Sequence, residues 1–139
     1  MKHTDSKAFT LVEIMVVVIL IGILASFAIP RYNKTVERSH KQDAETQLIA
    51  VHGANNIYRA QTGSFFGTIG TNYNITQINA NLDLNLIANG MTYSYRRTAA
   101  STYLSTAVRN APASVFTITV TQNPIDTTGG NPACSGACP

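Results

Sequence analysis

From Phe9 to Ile29 the chain runs for 21 residues with Glu13 as its single charge, and Pro30 follows at once. An α-helix of that length extends roughly 31 Å, enough to cross the hydrocarbon core of a bilayer. A chain of 139 residues has room for one compact domain besides this stretch. Averages conceal the division: mean hydropathy is +0.04, and the apolar residues are gathered at one end. The first eight residues, MKHTDSKA, are polar and net positive, and they run into the apolar stretch without a gradient. A secretory signal peptide shares the basic start, and Ala25-Ser26-Phe27-Ala28 offers small residues for its cleavage. Its apolar region is usually shorter, however, and seldom carries a carboxylate in the first turn.

Beyond Pro30 the composition changes. From Arg31 to Thr62 there is no proline, and Tyr32, Val36, Ala44, Leu48, Val51 and Tyr58 recur mostly three, four or seven apart. That spacing predicts an amphipathic helix, with Gly63 as its stop. A proline within a helical run kinks a long helix rather than abolishing it, so one helix from Phe9 to about Thr62, bent near Pro30, is expected. Residues 63–90 are rich in Asn, Gly and Thr without a clean period, and read as a connecting loop with a short helix around Thr76 to Leu82. Strands are expected at Met91–Arg97, Tyr103–Arg109 and Val115–Thr121. The last is the clearest, because Phe116, Ile118 and Val120 alternate with threonines. The tail from Gln122 is punctuated by prolines and glycines and reads as coil unless its cysteines pin it. The expected class is α+β: a long kinked helix packed on a three- to four-stranded antiparallel sheet.

Few residues offer chemistry. His40 and His52 lie twelve apart on the helix, about 18 Å, too far for one metal or proton relay, and read as solvated surface. Asp43 and Glu45 sit on different faces, while Asp83 and Asp126 are isolated, so a calcium cage is poorly supplied. No catalytic set, metal or cofactor is expected. Asn74-Ile75-Thr76 fits the N-glycosylation pattern and is read as chance. Arg96 and Arg97 with Tyr93, Tyr95 and Tyr103 make a weak nucleic-acid surface, for which solubilising strand charge is the commoner explanation. The net charge of +3 does not by itself imply nucleic acid. Cys134 and Cys138 lack companions for zinc, which leaves a small disulfide loop in an oxidising compartment or two free thiols.

Glu13 is the exception. A carboxylate within an apolar span costs at least about 2.5 kcal/mol at the bilayer centre and less near an end, so it tends to be paired. The alternative is a first-turn acid that offsets the helix dipole, worth tenths of a kcal/mol. Ala8-Phe9-Thr10-Leu11-Val12-Glu13, the apolar run and Pro30 together resemble the processing and methylation site of type IV pilins and type II secretion pseudopilins. The likeness covers about 25 residues. It implies a pilin fold, cleavage between Ala8 and Phe9 by a membrane prepilin peptidase, and N-methylation of Phe9 by the same enzyme. The family usually has Gly where this chain has Ala8. It also implies five segments: a leader at 1–8, a membrane and filament-core helix half at 9–30, an amphipathic half at 31–62, a connecting loop at 63–90, and sheet and tail at 91–139.

By the same resemblance, the amine freed at Phe9 is the partner of Glu13, between staggered subunits, and sets their register. Residues 14–29 first hold the precursor in the inner membrane and then pack in the filament core. Pro30 is the kink, and Gly22 permits local melting. Basic residues lie on both sides of the span, so orientation with the head outside the cytoplasm rests on the resemblance and the cysteine pair. The implied partners are copies of itself and related pilins, the peptidase and an inner-membrane assembly platform. The implied function is a non-enzymatic subunit of a type IV pilus serving adhesion, motility or DNA uptake. A pseudopilin of a type II secretion system is the alternative, and a membrane-anchored binding module or enzyme a third. The cysteine pair favours the pilus, since family pilins often staple the C-terminal region with a disulfide.

Overall fold

The computed structural model describes residues 9–111, 114–125 and 130–139, without the side chains of Pro30 and Ser114. Residues 1–8, expected as a leader and including Ala8, lie outside the described residues, as does Asp126. Helix α1 spans Leu11–Thr62 without interruption. It is followed by β1 (Asn72–Asn74), α2 (Ile75–Leu82), β2 (Met91–Ala99), β3 (Thr102–Ala111), β4 (Ser114–Thr121) and β5 (Ala133–Gly136). The chain divides into two compact units, one up to Val36 and the other Glu37–Pro139.

In the first unit, α1 carries Gly22 and Pro30 within a continuous helix. Every residue from Phe9 to Ile29 is exposed except Ala25, which is half-buried. Fifteen large apolar side chains in that stretch are each at least 50% exposed. At about 1 kcal/mol for the remaining area of each, some 15 kcal/mol of burial is left unrealised.

The second unit is a five-stranded antiparallel sheet in the order β1-β2-β3-β4-β5. Alternation along the strands sends Met91, Tyr93 and Tyr95 of β2, Tyr103, Ser105 and Ala107 of β3, and Phe116, Ile118 and Val120 of β4 to the buried face. Register sets Tyr93 beside Ala107 and Ala107 beside Ile118, so small side chains on the central strand are flanked by large ones. Ala44 and Leu48 of α1 pack into this cluster. Val51 joins a second cluster with Phe65, Phe66, Ile78, Leu82, Tyr95 and Tyr103.

The helix stripe that meets the sheet is partly polar. Glu37 and Asn55 are buried alongside Ala44, Leu48 and Val51, whereas Tyr32, expected on that face, is 69% exposed. Asn55 replaces water with fixed partners: its Nδ2 donates to Tyr95 Oη at 2.9 Å and its Oδ1 accepts from Phe66 N at 2.9 Å. The Tyr95 hydroxyl in turn donates to Phe66 O at 3.0 Å. The helix stops where the sequence places the stop, with Gly63 at φ 81° and its N–H bonded to Arg59 O.

The sheet has two strands more than the three clear sequence signals, both short edge strands. β1 lies in the expected loop, and with α2 and the buried Phe65 and Phe66 it makes that segment ordered structure. Three residues are too few to display an alternating pattern. β5 lies in the expected coil, paired with β4 from Phe116↔Gly136 to Thr119↔Ala133. Gly136 is obligatory there, because a Cβ would stand 2.7 Å from Val115 O at a φ of 91°.

Candidate functional site

Thr10 and Glu13 lock the start of α1 reciprocally. Glu13 Oε2 accepts from Thr10 N at 2.9 Å and from Thr10 Oγ1 at 2.8 Å, while Glu13 N donates to Thr10 Oγ1 at 3.2 Å. Thr10 O accepts the first helical bond, from Ile14 N at 3.3 Å. This is a capping box: a threonine cap and an acid three residues later satisfy each other's backbone donors. Glu13 thus has a hydrogen-bonding role in the first turn, distinct from the dipole-offsetting one weighed for it. Both bonds accepted by the carboxylate fall on Oε2. The spacing Thr10-x-x-Glu13 is itself a capping-box signal in the sequence.

Below this turn, α1 presents its most apolar 18-residue stretch with a mean hydropathy of 2.8 and no buried share. Ser26 Oγ donates to Ile23 O at 2.7 Å, so even its hydroxyl is satisfied within the helix. Pro30 has no N–H for the carbonyl of Ser26, one turn earlier.

The other candidate residues are dispersed. Tyr93, Tyr95 and Tyr103 are at most 3% exposed and face the core, so they offer no stacking platform for bases. Alternation explains this, since it turns Arg96 to solvent on the opposite face. Arg97 is held by carbonyls, its Nε, Nη1 and Nη2 donating to Ala99 O, Gly67 O and Ala100 O. Burial pushes the hydroxyls of Tyr93 and Tyr95 up to about 12, with the Asp43 charge adding to the effect at Tyr93. Tyr103 is raised further by the same cause.

His52 is not solvated as expected. It is half-buried, with Nδ1 2.6 Å from Tyr103 Oη and 3.1 Å from Thr121 O. It lies one residue from Val51 on the helix, at the margin of the packed stripe, where spacing alone does not separate surface from core. Asn74 is occupied as the cap of α2, bonded reciprocally with Gln77. Cys134 and Cys138 form a disulfide. Among the described residues no three His, Cys, Asp or Glu side chains converge as a metal site.

Residues 4–29 match the family described as the prokaryotic N-terminal methylation motif. The chain is 40% identical over 60 residues to the type II secretion system core protein G of Escherichia coli (strain K12), covering 42% of this chain and 41% of that protein. It is 43% identical over 58 residues to core protein G of Vibrio cholerae serotype O1, covering 42% of this chain and 40% of that one. It is 47% identical over 49 residues to the type IV major pilin protein PilA of Myxococcus xanthus (strain DK1622), covering 35% of this chain and 22% of PilA. The matches thus span about two fifths of the core protein G chains and less of PilA. No solved structure gives a significant match.

Proposed function

We propose that this chain, which carries the N-terminal methylation motif and has pilin and pseudopilin relatives, is the precursor of a type IV pilus subunit. The observation that carries the reading is the coincidence of a capped first turn bearing Glu13 with fifteen exposed apolar side chains behind it. Lipid or equivalent helices are the two media in which such a surface is stable, and a filament precursor uses them in turn.

In this reading the leader is cut between Ala8 and Phe9, and the new amine is methylated at Phe9. That amine is cationic at neutral pH. The amine of an incoming subunit meets Glu13 of its neighbour at Oε1, while Oε2 keeps the Thr10 cap, so a cationic partner is gained without opening the helix. Gly22 and Pro30 supply the bend or local melting that helical packing requires. The precursor sits in the inner membrane with its head outside the cytoplasm, served by the peptidase and an assembly platform. It then forms a surface filament with itself and related pilins for adhesion, motility or DNA uptake. The protein acts by assembly and not as an enzyme.

A pseudopilin of a type II secretion system is the second reading, favoured by the core protein G relatives; the C-terminal disulfide favours the pilus. Shearing cells separates the two. Long surface fibres containing the chain, with a mass spectrum beginning at N-methylated Phe9, are expected for the pilus, whereas chain confined to the envelope supports the pseudopilus. Glu13→Ala is expected to leave a folded, processed subunit that assembles at least tenfold less. Normal filaments from that variant would refute the pairing.

A further inference from the structure

Within the second unit, α1 covers the sheet with one side only. The opposite side, from Thr46 through Ile49, Ala50, Gly53 and Ile57 to Ala60, is exposed and carries no charge. A water-facing helix surface of four turns normally carries several charges. Gly53 is the sharpest anomaly. A Cβ placed on it would meet nothing within 4 Å, so the fold of the single chain has no need of glycine there, and glycine weakens an exposed helix interior relative to alanine. Beside it lies an open groove of about 580 Å³, walled by Ala50, Gly53 and Ile57 on one side and Leu82, Asp83 and Leu84 on the other. Asp83 caps α2 at the rim of this groove with φ 52° and an exposed side chain.

Charge says what fits it. Arg31, Lys34 and Arg38 stand three and four apart on α1, hence on one face, and all are exposed. Among the described residues the ion pairs are Lys41–Glu45 and Arg109–Glu37. Of the remaining acids beyond the membrane stretch, Asp43 is hydrogen-bonded by Gln47 and Asn89. Among the described residues, that leaves Asp83 as an exposed acid without an ion pair, beside an apolar groove, and the cationic row likewise without one.

We propose that the groove receives a second copy of this chain. The basic stretch of its α1 crosses at Gly53, where the missing side chain allows close helix approach, with Lys34 or its neighbours at Asp83. This rests on the filament reading and names a contact within it that is separate from the Phe9–Glu13 pair.

The test is carbodiimide treatment of intact assemblies of the full-length chain, which joins a carboxylate to an amine only when they touch, followed by peptide mass spectrometry. The expected product is an intermolecular Lys34–Asp83 amide that disappears in Asp83→Asn. In parallel, Gly53→Leu should lower filament yield at least tenfold, while Gly53→Ala is tolerated. Asp83→Lys should do the same as Gly53→Leu and be rescued by Lys34→Asp. Leader removal and protease resistance of the head show whether each variant has folded. Wild-type filaments with no such cross-link, and undiminished filaments from Gly53→Leu and Asp83→Lys, overturn the contact and leave the filament reading intact. A processed wild-type chain that never self-associates overturns both.

Discussion

Removal of the Glu37 carboxylate gives the strongest test of how the helix is held to the sheet. Arg109 of β3 grips Glu37 as a fork, with Nε to Oε2 at 3.1 Å and Nη2 to Oε1 at 3.0 Å. Its remaining Nη1 donates to Gly90 O at 2.9 Å. The side chains are only 14% and 12% exposed, so solvent screening is weak and Glu37→Ala would leave a guanidinium largely desolvated. Breaking such a pair from one side costs 3–5 kcal/mol, and the residual exposure argues for the lower end, about 3 kcal/mol. For a unit of about a hundred residues that is a fall in Tm of at least about 12 °C. The double variant Glu37→Ala/Arg109→Met removes the stranded charge and should recover about 2 kcal/mol relative to additivity. The assay is urea unfolding of the detergent-solubilised chain, followed by the near-ultraviolet circular dichroism of the core tyrosines. A Glu37→Ala loss below about 0.5 kcal/mol, or strict additivity in the double variant, would refute the argument.

Asn55→Ala should cost about 1–3 kcal/mol in the same assay, because it strands the buried Phe66 N–H, while the Tyr95 hydroxyl keeps Phe66 O as its acceptor; an unchanged midpoint would mean that water replaces the amide. Ser105→Ala should stabilise by roughly 0.5–1 kcal/mol, since the Ser105 hydroxyl is fully buried without a partner among the described residues. A loss would show that the hydroxyl is satisfied. The raised tyrosines predict alkaline unfolding. Burial holds the hydroxyls of Tyr93 and Tyr95 up to about 12 in the folded chain, against about 10 when unfolded. Their contribution is therefore complete below pH 10 and declines as pH rises from 10 to 12. Absorbance of tyrosinate at 295 nm should show a late fraction that titrates together with unfolding; a single titration near 10 with the fold intact would contradict the burial.

Legibility followed how local each signal is. The apolar run, the stop at Gly63, the alternation of β4 and the short helix before Leu82 each depend on neighbours within a few residues, and each appears in the fold as read. The α+β class followed from these. Glu13 was identified by the cost of a carboxylate in an apolar span, and its capping bonds lie within three residues, so that role too was within reach of the sequence. The edge strands β1 and β5 were not legible, since a strand of three or four residues exists only through the partner it pairs with.

The same holds for side chains whose meaning depends on a distant surface. Alternation placed Tyr93 and Tyr95 on one face, but only the sheet's contact with α1 decided that this face is the core and not a nucleic-acid platform. Glu37, Asn55 and His52 lie among charged and polar neighbours in sequence, and their partners are 11 to 72 residues away. Local periodicity thus determined which segments form helix and strand and where the membrane-competent stretch lies. Tertiary packing alone decided which polar residues are buried, because burial is a property of two surfaces and the sequence displays them one at a time.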